Sequence, residues 1–385
     1  MEVYLDNSAT TKPSEEVVDI MMQSLTQYYG NPSSLHRKGV EVEKQVKNAR
    51  RQVAKALGAN EQAIIFTSGG TESNNLAIIG AVESQKRKGN VIITTKIEHP
   101  SVLNVFKSFE NKGCQVIYLN VDRFGAIDVE QCKYHLSKDT ILVSIMHVNN
   151  EVGTIQPVDQ IGKLIKSCDT NALFHVDAIQ SFGKIQFTPK KIGADFVSIS
   201  GHKIHGPKGI GALYIKKNLH IKPLVYGGNQ ETGIRSGTEN VPGILGLGVA
   251  AEDVYRNITH HINAIRCLKN RFIQRIKSEI DHIKINGLEE EGSAPHIANI
   301  SFLGIRGEVL LHTLEQEGIY VSTGSACSSN KNSKSHVLKA MGMKDDEIEG
   351  AIRFSFSYNN TIEEIDYTVE QLKKHVVALR KIMMR

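Results

Sequence analysis

The chain has 385 residues, of which 40% are hydrophobic and 23% charged, and this globular composition argues against a disordered protein. Its 46 Lys and Arg against 41 Asp and Glu leave a formal net charge of +5, too small over this length to indicate nucleic-acid binding. The five cysteines are scattered and form no CxxC pair, so they predict neither a disulfide framework nor a zinc site.

The N-terminal sequence MEVYLDNSATTKP lacks the basic residues and following apolar run of a signal peptide. No apolar stretch approaches the ~18 residues that a transmembrane helix requires. The chain also has no low-complexity segment and no repeat of fixed period. We therefore expect a cytoplasmic protein with no membrane partner.

Short β-branched runs alternate with helical patterns over the first 215 residues. Most runs are apolar on both faces, which predicts buried strands of a largely parallel sheet. The runs are residues 63–68, 91–95, 115–119, 141–148, 173–177, 196–200 and 211–215. Residues 42–57 place apolar side chains three and four apart, and Gly58 follows as the expected C-cap of that helix. Strands separated by helices predict βαβ units and a three-layer α/β domain.

A different pattern begins after Pro242. It predicts a long helix first, and then a smaller α/β domain joined by that helix to the first domain. The predicted elements are a helix at 243–280, a strand at 297–302, a helix near 308–316, strands near 319–322 and 352–356, and a last amphipathic helix from about 363.

A glycine pair stands at a predicted strand-to-helix turn, in TSGGTESNN at residues 67–75. Glycine lets the backbone approach a ligand closely, and the start of a helix offers free N–H groups to a phosphate. The segment lacks the Walker lysine and the GxGxxG spacing, which disfavours a nucleotide site. A tight turn with a Ser or Thr N-cap accounts for the pattern equally well.

Three further candidates follow predicted strands. Asp177 ends a strand in HVDAIQ, where it can bind a metal, pair with a protonated ring nitrogen, or simply cap the next helix. Lys203 lies in the glycine-rich segment SGHKIHGPKGIG. A lysine in such a turn suits Schiff-base chemistry when burial or a nearby cation lowers its pKa, although most lysines are solvated. His99 in EHPS can stack on a ring, cap a helix or lie in the core. A phosphate cradle, an acid and a lysine at strand ends are together what pyridoxal 5′-phosphate (PLP) requires.

Cys327 stands inside a run of small, polar, turn-forming residues, STGSACSSNKN at 322–332. We expect an exposed, mobile loop, whose thiol could reach a substrate and then deliver a product elsewhere. An incidental loop cysteine is the alternative. The cysteines expected to be structural are Cys114, Cys132, Cys168 and Cys267.

With these motifs assembled, the chain resembles the cysteine desulfurases of the NifS/IscS type, which are PLP-dependent enzymes of the class V aminotransferase family. The resemblance extends from YLDNSATT at residues 4–11 to IRFSFS at 352–357. Between them EHPSV, HVNNEVG, RSGTEN and GSACSS occur in the family's order. The resemblance implies an α/β fold of the aspartate aminotransferase type (fold type I), with a large three-layer α/β/α domain and a smaller C-terminal α/β domain.

The implied domains divide the chain at two places. The large PLP-binding domain would span residues 14–255. The small domain would comprise residues 1–13 and 256–385 and would carry the catalytic cysteine loop at about 322–334.

The resemblance also implies a role for each matching side chain. Lys203 would form the Schiff base with PLP and move the substrate α-proton, and His99 would stack on the ring and act in acid–base steps. Cys327 would accept the substrate sulfur as a persulfide. Asp177 would pair with the ring nitrogen and Gln180 with the ring hydroxyl.

The remaining implied residues bind the phosphate of PLP or the carboxylate of the substrate. The phosphate would be bound by Gly70, Thr71, Ser200 and His202 of the same chain, and by Thr238 of the partner subunit. Asn150 and Arg353 would bind the substrate carboxylate, with the arginine as a bidentate fork. No metal is expected.

The implied reaction converts L-cysteine to L-alanine and an enzyme persulfide, which passes to a protein acceptor for tRNA thiolation, iron–sulfur cluster or other thio-cofactor synthesis. The protein would be a homodimer that binds no nucleic acid directly. Two features depart from the family pattern: SFSY at 355–358 replaces an SLGR-like ending, and the chain stops at Arg385, short of the extension with which longer members engage the iron–sulfur scaffold. The missing extension favours a tRNA-thiolation or other dedicated acceptor. The alternatives are a selenocysteine lyase or other class V enzyme, or a catalytically silent protein of the same fold.

Overall fold

The structure is a computed structural model that describes residues 1–323 and 334–383, with only the backbone of Met383. Its strands are β1 (Val3–Tyr4), β2 (Ile64–Thr67), β3 (Val91–Thr95), β4 (Gln115–Leu119), β5 (Thr140–Met146), β6 (Leu173–Asp177), β7 (Phe196–Ser200), β8 (Gly211–Ile215), β9 (Ile283–Asn286), β10 (Ile297–Phe302), β11 (Ile319–Tyr320), β12 (Ser322–Thr323) and β13 (Ala351–Ser355). Its α-helices are α1 (Glu15–Thr26), α2 (Arg37–Leu57), α3 (Gly70–Gln85), α4 (Pro100–Glu110), α5 (Val129–His135), α6 (Val158–Ser167), α7 (Pro189–Ile192), α8 (Val241–Glu279), α9 (Gly307–Gln316), α10 (His336–Ala340), α11 (Asp345–Glu349) and α12 (Ile362–Met383).

The large sheet has seven strands in the order β2-β8-β7-β6-β5-β3-β4. β8 is antiparallel to both of its neighbours, and the other adjacent pairs are parallel. The predicted largely parallel sheet is therefore confirmed, with one antiparallel strand. Because β2, β3, β5, β6 and β7 all run in one direction, their carboxyl ends lie along one edge of the sheet.

Helices cover both faces of this sheet. Ile65 and Ile92 belong to an apolar cluster with side chains of α3 and α4. The residues that follow them, Phe66 and Ile93, belong to a second cluster with side chains of α1, α2 and the first part of α8. Because successive strand residues point to opposite faces, these two clusters are the cores of a three-layer α/β/α domain.

The helix predicted at residues 42–57 begins earlier, at Arg37, and ends at Leu57 as expected. Its buried positions include Val42, Val46 and Val53, which are spaced so that they lie on one face. Gly58 ends it in the left-handed conformation, with φ of 64°. Glycine adopts this conformation without steric cost, which makes it the favoured residue at such a helix end.

A smaller sheet has the order β12-β13-β10-β9 with antiparallel pairing throughout, and β1 pairs in parallel with β11. A separate apolar cluster fills this part, including Phe272, Phe302 and Phe354. Helix α8 belongs to both parts: its residues up to Val254 pack in the first core and those from Ile265 onward pack in the second. The change from one core to the other thus falls within the same helix as the domain boundary expected at residues 255–256.

The N-terminal segment crosses from the small sheet to the large one. The backbone N–H of Asn7 donates to Ser355 O at 3.3 Å, and that of Thr11 donates to His202 O at 2.8 Å. The backbone between these contacts therefore runs past the carboxyl edge of the large sheet. Within residues 1–323 and 334–383, no helix combines the length and apolar character needed to cross a bilayer.

Candidate active site

A cavity of about 240 Å³ lies where the carboxyl edge of the large sheet meets the N-terminal segment and the small domain. Ten of the residues predicted for the site line it, although they come from distant parts of the sequence. They are Gly70, Thr71, His99, Asn150, Asp177, Gln180, Ser200, His202, Lys203 and Arg353. Thr238 is exposed and does not line this cavity of its own chain. Cys327 lies outside the described residues.

Lys203 lies in the short turn that follows β7. Its Nζ donates to the backbone carbonyls of Ser8 and Ala9, at 2.5 and 2.8 Å. Behind it, Nζ of the buried Lys184 donates to the Lys203 carbonyl at 2.7 Å. Burial, together with the charge of Lys203, lowers the pKa of Lys184 to about 7. The amine of Lys203 is thus held at the cavity wall by two backbone carbonyls, and Lys184 holds the backbone of the same residue.

Asp177 is the last residue of β6, and its carboxylate accepts two hydrogen bonds. Ile179 N donates to Oδ1 at 3.0 Å and Asn74 Nδ2 donates to Oδ2 at 2.7 Å. Burial raises the pKa of Asp177, while these two bonds and the charge of Lys203 act in the opposite direction. A cationic N–H group in the cavity would favour the ionised form further.

His99 immediately precedes α4 and caps its start. Its Nδ1 accepts from Ser101 N at 3.1 Å and lies 2.8 Å from Ser101 Oγ. Burial and the charges of Lys203 and His336 lower the pKa of His99 to about 4. The imidazole is therefore neutral at physiological pH.

The start of α3 forms one end of the cavity. The helix follows Gly69, which has φ of 153° and no side chain to bond the free N–H groups of the first turn. A Cβ atom at Gly70 would collide with the end of the Ile179 side chain, so a larger residue here would require that side chain to move. Oγ of Ser200 is buried nearby without a partner in the described part of the chain. Free N–H groups and an unpaired hydroxyl make this end suitable for an anion.

Arg353 on β13 forms the opposite end and is 3% exposed. Its Nη1 donates to Asn150 O at 2.9 Å, and its Nη2 donates to Asp6 Oδ1 at 2.8 Å. Its Nε is buried and has no partner among the described residues. The guanidinium is thus fixed in orientation while retaining a donor for a further acceptor, such as a carboxylate.

Glu151 adjoins this end of the cavity. Its Oε2 accepts from Ser335 Oγ at 2.6 Å, and burial raises its pKa to about 7. His336 Nε2 donates to Glu98 O at 2.9 Å. The segment that begins at Lys334 therefore forms hydrogen bonds with the segments that carry Asn150 and His99.

The described cysteines are free thiols, and burial raises the pKa of Cys132 to about 12, which makes it a poor nucleophile. Nowhere in residues 1–323 or 334–383 are three His, Cys, Asp or Glu side chains grouped to hold a metal ion.

Sequence reasoning missed five residues of the site, which are Asp6, Ser8, Ala9, Asn74 and Ser101. Asn74 and Ser101 lie within motifs that were singled out, and their polar side chains were the available signal. Asp6 lies in YLDNSATT, which carried the resemblance but no assigned role. Ser8 and Ala9 act through carbonyl oxygens, for which residue type gives no signal.

The profile of the aminotransferase class-V family matches residues 3–368. The chain belongs to this family. Among relatives, it is 46% identical over 380 residues to a cysteine desulfurase of Trichormus azollae, covering 99% of this chain and 94% of that protein. A solved NifS-like protein superimposes with a TM-score of 0.93 at 40% identity, covering 98% of this chain and all of the other. SspA, solved in complex with cysteine, gives a TM-score of 0.81 at 34% identity over 93% of this chain and all of SspA.

Within the class V aminotransferases, the chain is thus of the NifS/IscS cysteine desulfurase type, as its motifs predicted. The fold of these relatives also confirms the expected fold type I architecture. The matches extend over nearly the whole chain, so both the large sheet and the small one belong to the shared fold.

Proposed function

We propose that this chain is a PLP-dependent cysteine desulfurase whose reaction takes place in the cavity at the carboxyl edge of the large sheet. The observation that carries the proposal is the convergence of Lys203, Asp177 and Arg353 on that one cavity. An amine, a buried acid and a guanidinium suit a cofactor aldehyde, a protonated ring nitrogen and a substrate carboxylate, respectively. The names of the relatives support this activity, whereas nothing favours the selenocysteine lyase, aminotransferase or silent-protein alternatives.

The chain's own atoms fit PLP at both of its polar positions. The unpaired Ser200 Oγ and the uncapped start of α3 would hold the phosphate, together with Thr71 and His202. Asp177 would hold the protonated ring nitrogen, and Gln180 would reach the ring hydroxyl. When bound, PLP would supply an electron sink for bond breaking at the substrate.

Lys203 is proposed to move the substrate α-proton. Its Nζ donates to the Ser8 and Ala9 carbonyls, which orient it at the cavity wall. A fixed amine can take a proton from a substrate carbon and return it without first changing position.

Arg353 and Asn150 are proposed to hold the carboxylate of L-cysteine. The unpaired Nε of Arg353 is available for it, while Asp6 and the Asn150 carbonyl prevent the guanidinium from turning away. SspA, which is related to this chain along most of its length, has been solved with cysteine bound, which supports cysteine as the ligand of the equivalent cavity here.

Cys327 is proposed to accept the sulfur. Its thiolate would attack the sulfur of L-cysteine, so that an S–S bond forms, the substrate C–S bond breaks and L-alanine results. The two described ends of its segment support this role: Ser322 pairs with Arg353, and Ser335 bonds to Glu151. Cys327 lies five residues after Ser322 and eight before Ser335, which keeps it within reach of the cavity at ~3.3 Å per residue.

The test measures L-alanine and sulfide released from L-cysteine in the presence of dithiothreitol. Lys203→Ala should lose the covalently bound cofactor, seen as loss of the yellow absorbance near ~420 nm, and activity should fall at least ~1,000-fold. Cys327→Ala should keep the colour but lose sulfur release to a similar extent.

Cys267→Ala is the matched control, because it removes another thiol that is exposed and distant from the cavity. This variant should keep full activity. A colourless wild-type protein that PLP cannot restore would contradict the cofactor assignment, and full activity of Cys327→Ala would contradict the persulfide role.

The acceptor, oligomer and location are further parts of the proposal. The sulfur would pass to a protein acceptor, either a tRNA-thiolation enzyme or an iron–sulfur scaffold. Thr238 is exposed in its own chain, which supports a homodimer in which it reaches the partner's cavity. Free cysteines support a reducing compartment such as the cytoplasm.

A further inference from the structure

We propose that His99 keeps its proton on Nε2 throughout the reaction and acts as a fixed hydrogen-bond donor into the cavity, with Ser101 and Asn74 as the positioning residues that hold it in this form. The inference rests on the proposed PLP site and deepens it. It restricts the histidine to donating a hydrogen bond and leaves the movement of the substrate proton to Lys203.

The first step is the helix cap. Helix α4 begins with Pro100, which has no backbone N–H, so the first free N–H of the helix belongs to Ser101. That N–H donates to Nδ1 of His99 at 3.1 Å. A backbone amide can only donate, and Nδ1 must therefore be the unprotonated nitrogen of the ring. The proton of the neutral imidazole is then on Nε2.

The second step is the side chain of Ser101, whose Oγ lies 2.8 Å from Nδ1 and 3.0 Å from Asn74 Nδ2. Asn74 Nδ2 also donates to Asp177 Oδ2 at 2.7 Å, which identifies it as the amide nitrogen. Ser101 Oγ consequently accepts from Asn74 and donates its own hydrogen to Nδ1. Nδ1 thus faces two donors, and a chain of three hydrogen bonds joins it to Asp177.

This chain of bonds is shielded from water. Asn74 is 0% exposed, Asp177 5% and Ser101 9%. Nε2 has no bonding partner in the described part of the protein, and His99 lines the cavity. The ring therefore presents its N–H to whatever acceptor atom the cavity holds, while its other nitrogen is fully used by the protein.

The charged surroundings favour the same neutral form. Burial opposes a positive charge on the ring most strongly, and Lys203 from the turn after β7 and His336 from α10 add to this effect. Glu98, the preceding residue, has a pKa raised by burial to about 8 and so carries little compensating negative charge at neutral pH. The Asp177 carboxylate reaches His99 only through Asn74 and Ser101. Protonation of Nδ1 would in addition remove the acceptor that caps α4.

The experiment records ¹⁵N resonances of the imidazole side chains in ¹⁵N-histidine-labelled full-length protein, with and without PLP, from pH 5.5 to 9. His99→Gln identifies the His99 signals. We expect an unprotonated Nδ1, a protonated Nε2 and no titration over this range in either form. An imidazolium at pH 7, or a proton on Nδ1, would overturn the proposal. The PLP-free spectrum tests the tautomer even if the cofactor assignment fails, and cofactor colour is read separately.

Two variants test the positioning residues. Ser101→Ala removes one donor to Nδ1 and keeps the backbone cap, so the Nδ1 resonance should move toward that of a free imidazole acceptor. Asn74→Ala should move it in the same direction. Ser108→Ala, on the exposed side of the same helix, is the control and should leave the His99 signals unchanged. Unchanged signals in both Ser101→Ala and Asn74→Ala would refute their positioning role.

Discussion

Glu98 is a fully buried acid beside the candidate active site, and no cationic side chain of residues 1–323 or 334–382 forms an ion pair with it. Its Oε1 accepts from Thr95 Oγ1 at 2.8 Å and from Met146 N at 3.0 Å, while Oε2 is buried and unpaired in the described part of the chain. Burial raises its pKa to about 8. The protonated side chain thus joins the ends of β3 and β5 just before His99, and burial disfavours its ionised form.

Glu98→Gln should abolish a pH dependence of stability that the wild type possesses. Between pH 4.5 and about 8 the folded protein holds a proton on Glu98 that the unfolded chain has released, so the stability of the wild type falls as pH rises through this interval. Glutamine keeps the accepting Oε1 and cannot ionise. From pH 5 to 8.5, the free energy of unfolding in urea should fall by ~2–4 kcal/mol more in the wild type than in the variant. If the free energies of unfolding of the two proteins change in parallel with pH, the raised pKa of Glu98 is contradicted. A constant difference between the two curves, caused by the unpaired amide of the glutamine, does not affect this conclusion.

Asp6→Asn should weaken substrate binding more than it slows the chemistry. The ion pair between Asp6 and Arg353 is buried on the arginine side, where only 4% of the side chain is exposed. Replacing the carboxylate removes a charge-assisted bond that orients the guanidinium, so KM for L-cysteine should rise ~10-fold, with a smaller change in kcat. Asp169→Asn, which removes an exposed ion pair with Lys138, is the control and should change neither constant. An unaltered KM in Asp6→Asn would show that Arg353 is oriented without Asp6.

At the scale of elements, long apolar runs were predictable and short paired segments were not. The runs at 91–95, 173–177 and 196–200 coincide with β3, β6 and β7, because side chains on both faces of each strand are buried and only Leu173 is half-buried. β1 has two residues and β9 has four, which is too short for a periodic pattern to stand out from a loop. Each is defined by its pairing with another strand, β11 for β1 and β10 for β9.

The same contrast applies to the site. Asp177 and Lys203 were predictable because the carboxyl ends of parallel strands meet at one edge, so a strand-end acid and a strand-end lysine must lie near each other. The link from Asn74 to Ser101 spans 27 residues and joins two helices, and the contact of Asp6 with Arg353 spans 347. Such contacts follow from the packing of whole elements, which local sequence patterns do not encode.

Strand β8 supports the phosphate end of the site through a glycine that allows close packing. A Cβ atom on Gly211 would lie 2.7 Å from Ile199 O and 2.8 Å from the backbone of Gly69. Gly211→Ala should therefore displace the turn before α3, raise the Kd for PLP ~10-fold or more and destabilise the protein by ~1–3 kcal/mol. Fluorescence titration of the PLP-free protein and urea unfolding measure the two effects.

Gly113→Ala is the control that separates a loss of stability from a loss of PLP affinity. Gly113 has φ of 92°, and a Cβ atom there would meet nothing within 4 Å. Alanine should thus destabilise the protein through backbone strain by ~1–2 kcal/mol while leaving the Kd for PLP unchanged. Gly113→Ala should reduce stability and leave PLP affinity unchanged. If Gly211→Ala gives this same result, β8 does not support the proposed phosphate end of the cavity.

At the scale of the whole molecule, several large apolar side chains are exposed on α1, just after it and ahead of Thr238. They are Val18, Met22 and Leu25 on α1, Tyr29 and Leu35 after it, and Val225 and Tyr226 ahead of Thr238. Leu35 is 97% exposed and Tyr226 is 78% exposed. In the homodimer that we propose, a second copy of the chain would cover these side chains and would bring Thr238 to the cavity that this residue does not reach in its own chain.

A mixed dimer of Lys203→Ala and Thr238→Val chains tests this arrangement. If Thr238 serves the cavity of the partner subunit, one site of the mixed dimer combines an intact Lys203 with an intact Thr238, and the other site carries both changes. The Lys203→Ala homodimer should be inactive, and Thr238→Val should bind PLP ~10-fold more weakly through loss of a hydrogen bond to the phosphate. At limiting PLP, the co-expressed mixed dimer, isolated with two tags, should then show about one wild-type site per dimer, and its desulfurase activity should exceed the mean of the two homodimers. An activity equal to that mean, or a monomer in sedimentation, would place Thr238 outside the reaction and leave the phosphate to the residues of a single chain.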